Sequence, residues 1–514
     1  MAASTSTSSP EVLHLPVVVV GGGMGGLYTA HQLLNKYNFK SEDIVVLEAR
    51  RGVGGRLVTT THDVTNGQTP EVKFNDFAWR IGETNTMMLQ LAKDFGVELV
   101  EQFTPPADAS KKESHEFDTK PRTENKAPLS TYSAAALEST TLADLQDRES
   151  GYAGRTAQIA FPGESHGSKH WFAPKGLNAF PRAVLETLPE GMVKTYHRAA
   201  DVEKQEDGTY KVTVMHSHGY DFTEKHYICE QVVLAVPPFQ ARTFSVAKDM
   251  QPALFAVYER RLGHIYVQCK PGTVKVPDAS TGPDRIYKMI PDNILQQIVS
   301  GDYGHNVFQA GYACDRFERV WRELQFQGND VVNQEVRKQL AKISGVDPAL
   351  GDQIEQAFVR ILFVHRWQVE AHVNGKTKEE LSLQAITPNP VRLPGLYLVG
   401  EAFSSQQGWT EGAVMTASKA AEFIGQHKSE RNVMVPEGVS PYNMPCKVDE
   451  TSMVYRDLVL EASTFAGIHP GGAGPINWMK GHDVTNMFEN YHKGWPNPLA
   501  TIFGIQKGSL KQDD

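Results

Sequence analysis

The feature that most constrains this chain is a glycine-rich turn between an apolar strand and a helix near the N-terminus. Residues 17–20 are a continuous valine run, which is typical of a strand buried on both faces of a parallel sheet. Gly21, Gly23 and Gly26 follow at the G-x-G-x-x-G spacing, which permits a tight turn, a close pyrophosphate and packing of helix on strand. A second apolar strand ends at Glu48, where a carboxylate accepts a ribose hydroxyl. These residues predict a dinucleotide-binding domain.

The composition is that of an ordinary globular protein. The chain has 514 residues, of which 40% are hydrophobic and 22% charged, and this length allows roughly two to four domains. The net charge of −9 argues against a nucleic-acid partner and against an anionic membrane surface. The four cysteines are scattered without a C-x-x-C pair, so we expect a reducing compartment and no disulfide framework.

The N-terminal residues 1–13 are rich in Ser and Thr and resemble neither a secretory signal nor an Arg-rich transit peptide. No apolar run approaches the length of a membrane span. We therefore expect a disordered tail on a cytoplasmic protein without a membrane span.

Two further motifs identify the dinucleotide. Residues 51–56, Arg-Gly-Val-Gly-Gly-Arg, resemble the R-x-G-G-R turn of the flavin amine oxidase superfamily, which nicotinamide enzymes do not normally carry. Residues 394–402 and 408–413 resemble the C-terminal FAD motif of amine and amino acid oxidases. In that motif a strand leads to a Gly-Glu pair, and the next helix begins under the flavin ring. The resemblance therefore favours FAD over NAD.

The resemblance also implies which residues hold the cofactor. Val202 falls where the family's backbone contacts adenine. No cysteine lies between Arg366 and Trp409, where monoamine oxidases carry their flavin-linking cysteine, so we expect non-covalent FAD. The complete set of expected cofactor contacts is Gly21, Gly23, Gly25, Gly26, Glu48, Ala49, Arg50, Gly55, Arg56, Ala78, Trp79, Arg80, Val202, Gly400, Glu401, Gly408, Trp409, Thr410 and Ala413.

The substrate residues follow from the resemblance to L-amino acid oxidases. Arg80 falls on the arginine that clamps the substrate α-carboxylate, and a guanidinium fork suits a carboxylate. Lys270 falls near the lysine that holds a water beside flavin N5, where it assists dioxygen reduction. Trp409 and Gly408 match the segment flanking the substrate, and Trp367 is a further candidate for the pocket. The alternatives are a surface or phosphate-facing arginine, a solvated lysine at a strand end and a core tryptophan.

The C-terminal residues resemble a second module. A linker is expected at 427–444, and residues 445–514 resemble cytochrome b5. His469 and His492 match its two axial histidines, which would give a six-coordinate electron-transfer haem. The alternative is a degenerate module that has lost haem and serves as an interface.

We expect an α/β and α+β architecture, with a Rossmann-type FAD-binding domain, an interleaved substrate domain with a helical insertion, and the small C-terminal module. The expected FAD-binding segments are 14–71, 167–250 and 393–426, and the expected substrate-domain segments are 72–166 and 251–392. The role of residues 103–165 and the oligomeric state are not indicated.

The sequence predicts a flavin L-amino acid oxidase, which with dioxygen would produce a keto acid, ammonia and hydrogen peroxide. One alternative is an amine or polyamine oxidase without a carboxylate requirement. Another is a flavohaem dehydrogenase that passes electrons to the C-terminal haem. A carotenoid-type desaturase shares the FAD motifs but is disfavoured by the acidic, non-membranous composition. The preferred amino acid side chain is not identified.

Overall fold

The computed structural model describes most of the chain and divides it into two units. The described residues are 10–62, 72–75, 78, 80–102, 169–219, 221–270, 288–289, 294–295, 298–299, 307–314, 316–341, 350–368, 376–429, 443–444, 449, 451–492 and 496–510. Unit 1 comprises Met1–Gly55, Pro181–Tyr258 and Trp367–Asp514, and unit 2 comprises Arg56–Phe180 and Glu259–Arg366. The interleaved units differ from the predicted segments at residues 56–71, 167–180, 251–258 and 367–392. The whole 103–165 segment, residues 1–9 of the N-terminal tail, and Trp79 lie outside the described residues.

Helices and strands alternate through both units. The helices are α1 Met24–Asn35, α2 Thr86–Asp94, α3 Ala179–Glu186, α4 Pro238–Ala241, α5 Ala247–Phe255, α6 Arg316–Gln327, α7 Asn329–Leu340, α8 Leu350–Gln353, α9 Lys378–Ile386, α10 Thr410–Ser429, α11 Ser463–Ala466, α12 Ala473–Met479, α13 Thr485–Tyr491 and α14 Pro496–Ile505. The strands are β1 Glu11–Val20, β2 Ile44–Leu47, β3 Thr59–His62, β4 Val72–Asn75, β5 Ile81–Gly82, β6 Val100–Gln102, β7 His170–Phe172, β8 Val193–Lys194, β9 His197–Lys204, β10 Tyr210–His218, β11 Asp221–Leu234, β12 Val257–Cys269, β13 Lys288–Met289, β14 Ile298–Val299, β15 Val307–Cys314, β16 Ile354–Trp367, β17 Leu396–Leu398, β18 Asn443–Met444, β19 Ser452–Tyr455, β20 Leu458–Glu461 and β21 Gln506–Leu510.

Unit 1 is built on a mixed seven-stranded sheet in the order β8-β2-β1-β11-β10-β9, with β17 also paired to β11. The valine run at the end of β1 lies in the centre, parallel to β2 on one side and to β11 on the other. All four valines are buried, as a strand covered on both faces requires. Because β17 pairs with the end of β11, the two distant glycine motifs reach the same edge of one sheet.

Unit 2 contains a five-stranded sheet in the order β13-β14-β15-β12-β16. One face packs against α6 and α7 in an apolar core that includes Ile265, Val267, Phe308, Trp321 and Val336.

The C-terminal module, residues 443–510, lies in unit 1 together with the dinucleotide-binding sheet. Its four-stranded sheet has the order β18-β21-β20-β19 and packs with α11–α14 around its own apolar core. No helix among the described residues is long and apolar enough to cross a membrane. The mixed architecture confirms the predicted fold class.

Candidate active site

The first glycine turn has the close packing that its sequence predicts. Gly21 has φ +111°, in a region that favours glycine. A Cβ at Gly26 would overlap the carbonyl oxygen of Gly21, so only glycine lets α1 begin this close to β1. Gly23 is the N-cap of α1, which begins without a capping side chain or an acidic residue in its first turn. The uncapped N–H groups fit a pyrophosphate.

The second glycine turn pairs with the first. Gly54 donates its N–H to the carbonyl oxygen of Gly22 at 2.9 Å, and Gly23 and Gly54 form a parallel bridge. A Cβ at Gly55, which has φ +59°, would lie 3.2 Å from Cα of Gly23. The two turns therefore form one backbone-lined cradle, as the dinucleotide prediction requires.

Glu48 lies at the end of β2 with its carboxylate buried against these turns. Its Oε2 accepts the N–H of Gly22 and its Oε1 the N–H of Arg50, both at 2.8 Å. A carboxylate has about four lone-pair positions, so acceptor capacity remains for ribose hydroxyls. Ala49 and Arg50 follow on the exposed side of the turn.

The C-terminal motif lies directly against the first turn. A Cβ at Gly25 would lie 2.9 Å from Cγ1 of Val399 and 3.5 Å from the carbonyl oxygen of Ala413. Residues almost 400 positions apart thus meet at one helix N-terminus. Gly400 has φ +140°, and a Cβ there would meet nothing within 4 Å. The contact of Gly25 with Val399 and Ala413 is the convergence that the two glycine motifs predict.

The turn between Gly400 and α10 is held by the carboxylate of Glu401. Glu401 is buried, and its Oε1 accepts the N–H of Gly408 at 2.6 Å. Trp409 is also buried, immediately before Thr410 starts α10. The segment is therefore a rigid platform rather than an open loop.

The predicted adenine contact at Val202 is not supported by its geometry. Its N–H donates to Asp201 and its carbonyl oxygen accepts from Val246, so both backbone groups already have partners. The residue of β9 that bonds to Glu48 is His197, at 2.8 Å. At about 3.3 Å per residue, Val202 lies about 16 Å further along the strand. An adenine beside Glu48 would meet the beginning of β9 instead.

In unit 2, Arg80 lies near a buried polar face of the sheet. His264, Tyr266 and Gln268 alternate with the apolar residues of β12, and Gln309 and Tyr312 lie on β15. All five are buried. The sequence analysis missed this group, although its signal, polar residues at every second position, was visible.

His264 is the centre of this polar face. It is 0% exposed, and its Nδ1 lies 2.8 Å from the hydroxyl of Tyr266. Its Nε2 is buried without a hydrogen-bond partner among the described residues. Burial, and then the charge of Arg80, lower the pKa of His264 to about 3, so the imidazole is neutral. A buried, unsatisfied nitrogen beside an arginine is typical of a ligand site.

The remaining predicted residues have other surroundings. Ala78 and Arg80 are half-buried, and Arg56 lies against Phe363, with its guanidinium 5.2 Å from the ring centre. The side chain of Lys270 is exposed just beyond β12. Trp367 is buried in the core of unit 1 and stacks on Phe503 at 5.8 Å. Trp367 thus has the surroundings of a core tryptophan, and Lys270 lies at the end of a strand.

His469 and His492 face each other in the C-terminal module. Their ring centres are 6.3 Å apart. Two metal–nitrogen bonds of about 2 Å, and about 1 Å from each nitrogen to its ring centre, add up to about 6 Å. The pair therefore fits two axial bonds to one iron.

The surroundings of the pair also suit haem. Nδ1 of His469 lies 3.1 Å from the carbonyl oxygen of Gly472, which would leave Nε2 for the iron. Burial, and then His469, lower the pKa of His492, which favours the neutral form that binds metal. Among the described residues no group of three or more His, Cys, Asp or Glu could hold a metal ion.

Comparisons with known proteins agree with this architecture. Residues 24–145 match the family of flavin containing amine oxidoreductases. Residues 436–498 match the family of cytochrome b5-like heme/steroid binding domains. No curated protein sequence matches the chain.

Solved structures match over most of the chain. A triple mutant of putrescine oxidase with redesigned cofactor binding aligns with a TM-score of 0.53 at 14% identity, over 81% of this chain and 100% of that chain. A protein assigned as a protoporphyrinogen oxidase from Exiguobacterium sp. 255-15 aligns with a TM-score of 0.51 at 15% identity, over 82% and 99%. Wild-type putrescine oxidase bound to putrescine aligns with a TM-score of 0.52 at 13% identity, over 80% and 99%. At these identities the likeness establishes the fold alone.

The two family matches confirm the resemblances seen in the sequence, and the first implies FAD as the cofactor. Residues 24–145 are therefore similar to flavin containing amine oxidoreductases, and residues 436–498 are similar to cytochrome b5-like domains.

Proposed function

We propose that the protein oxidises an L-amino acid to the corresponding keto acid and ammonia, with dioxygen reduced to hydrogen peroxide. The family supports amine oxidation with FAD. The observation that carries the narrower proposal is Arg80 beside the buried polar face around His264. The half-buried guanidinium of Arg80 suits the carboxylate of an amino acid, which a simple amine lacks.

In this proposal Arg80 and His264 have separate roles in binding the substrate. The planar guanidinium of Arg80 accommodates a carboxylate through two parallel hydrogen bonds. With a pKa of about 3, His264 is a poor general base at neutral pH. Its free Nε2 therefore acts by hydrogen bonding and orientation rather than by proton abstraction.

Unit 1 contributes the rigid platform for the cofactor. Bound FAD would supply the two-electron oxidant that converts the amine to an imine, which water hydrolyses. Within unit 1, the buried Trp409 and the turn at Gly408, held by Glu401, would lie beside the flavin. In this proposal Lys270 assists the reaction of dioxygen.

A peroxide assay over the common L-amino acids, each beside its decarboxylated amine, tests the proposal. We expect turnover of at least one amino acid and a preference over its amine of about 100-fold, since charge-assisted hydrogen bonds contribute about 1.5–3 kcal/mol each. Equal or faster turnover of the amines would replace the proposal with an amine or polyamine oxidase.

The histidine pair supports a second candidate, a flavohaem dehydrogenase. The 6.3 Å between the rings of His469 and His492 would let both histidines hold one haem. A haem held by two histidines would supply electron transfer and not substrate binding. If purified protein has a Soret band that changes when an amino acid is added without dioxygen, electrons reach the haem. If the band does not respond, the dehydrogenase is excluded.

A further inference from the structure

The hairpin between β19 and β20 has a turn that its own sequence disfavours. Arg456 and Asp457 have φ +46° and +64°. A two-residue turn with both φ values positive strongly prefers Asn-Gly or a similar pair, and side chains with a Cβ are strained there. A strained turn persists only where surrounding contacts hold it.

The side chains of this turn bind the dinucleotide-binding part of unit 1. Arg456 Nη1 lies 3.0 Å from Oδ1 of Asp249 on α5, and Asp457 Oδ2 lies 2.5 Å from Nε of Arg392. Asp249 is buried, and Arg392 also approaches it at 3.6 Å. The buried Asn389 donates from Nδ2 to the carbonyl oxygens of both Asp249 and Arg456 at 3.2 Å. Several charged groups of this network are partly withdrawn from water, so removing one partner would leave another unpaired at a cost in free energy.

A second contact reaches the turn that holds Gly408. Phe503 on α14 is buried and stacks on Trp367 with an interplanar angle of 7°. Trp367 Nε1 donates to the carbonyl oxygen of Ser404 at 3.1 Å. Its backbone N–H donates to Oε1 of Gln407 at 2.8 Å, one residue before Gly408. Phe503 therefore supports, through a single tryptophan, the segment between Glu401 and Trp409.

We propose that the C-terminal cytochrome b5-like domain stabilises the flavin site through fixed contacts, a role called the buttress. The contacts of the Arg456-Asp457 turn with α5 and with the loop before β17, called the pin, hold the domain in place. Phe503 supports the Gly400–Trp409 turn through Trp367. Phe503 and Trp367 are positioning residues for the cofactor. This role is independent of the amino acid or amine that is oxidised, and it rests only on the assignment of the turn to FAD.

The pin is tested by the full-length double variant Arg456→Asn and Asp457→Gly. The change gives the hairpin its preferred turn residues and removes the side-chain bonds to Asp249 and Arg392. We expect the C-terminal domain to stay folded, while its linkage to the rest of unit 1 loosens. Hydrogen exchange should therefore rise at α5 and at residues 400–409, and FAD should dissociate about tenfold more readily. Unchanged exchange and FAD affinity would overturn the pin.

The buttress is tested by Phe503→Leu, with Phe503→Tyr as the conservative variant and Ile502→Val as the matched control. Ile502 is buried in the same helix but packs in the core of the C-terminal domain. We expect Phe503→Leu to change the visible circular dichroism of the bound flavin and weaken FAD binding, whereas Phe503→Tyr and Ile502→Val retain both. A flavin signal that is identical in all three variants would overturn the buttress. Trp367→Phe, which removes the bond to Ser404, should act non-additively with Phe503→Leu.

Discussion

At the scale of single residues, the proposal that the substrate is an amino acid and not an amine depends on Arg80. Replacing Arg80 by Ala should reduce kcat/KM for the amino acid by about 100-fold or more, because two charge-assisted hydrogen bonds are lost. The amount of bound FAD should not change. The measurement is peroxide formation with the amino acid and with its decarboxylated amine.

Arg261→Ala is the matched control, since Arg261 is an exposed arginine of the same unit, paired with Glu259 at 3.2 Å. It should leave turnover of the amino acid and of the amine within twofold of the original values, which corresponds to about 0.4 kcal/mol in activation free energy. If Arg80→Ala lowers turnover of the amine as strongly as that of the amino acid, Arg80 does not bind a carboxylate.

His264 predicts a pH dependence of stability. Its pKa is about 3 in the folded protein, because of burial and then Arg80, and about 6.5 in an unfolded chain. Between these values the unfolded state binds more protons, so stability is fully present above about pH 6.5 and falls on acidification. The loss is up to about 1.4 kcal/mol per pH unit.

The thermal midpoint measured between about pH 4.5 and 6.5 checks this expectation. In the variant His264→Gln, which keeps a polar partner for Tyr266 but does not titrate, the midpoint should change less with pH. Parallel curves for the two proteins would show that His264 is not the group responsible.

At the scale of elements, the junction of β1 and α1 depends on the absence of one Cβ. Gly26→Ala would place that atom against the carbonyl oxygen of Gly21 and push the helix off the strand. We expect the protein to lose most of its FAD. The measurement is the ratio of flavin absorbance to protein.

Gly52→Ala provides the comparison, because a Cβ at Gly52 would meet nothing within 4 Å. Its FAD content should equal that of the original protein. If the Gly26→Ala variant retains its full FAD content, the turn tolerates the displacement of α1 from β1.

At the scale of the whole molecule, the C-terminal domain either binds haem or serves only as the buttress. After incubation with haemin we expect a Soret band that is lost in His492→Ala and kept in Tyr491→Ala, whose side chain is 79% exposed. A band of equal height in both variants would exclude His492 as a ligand. Absence of a band in the original protein would leave the domain without haem.

The glycine motifs were predictable from the sequence because their function depends on local backbone geometry. Gly21, Gly26 and Glu48 have the positions that the pattern predicts. The contact of Gly25 with Val399 was expected because both motifs are predicted to bind the same cofactor.

Long-range packing was not predictable in the same way. Nothing local shows that the polar alternation around His264 is buried, because the same pattern is typical of a strand with one face in water. Val202 was misplaced since position along β9 depends on the pairing of its first residue with Glu48. The stack of Trp367 on Phe503 joins segments whose proximity only the tertiary structure reveals.

The meeting of Gly25 with Val399 and Ala413 also has a consequence for biosynthesis. The first glycine turn leaves the ribosome early, but the residues that complete its cradle are made almost 400 positions later. At about 5–20 residues per second this interval lasts about 20–80 s. During that time β1 also lacks its partner β11 for the first half. The cradle around the first glycine turn is therefore complete only after Ala413 has been made.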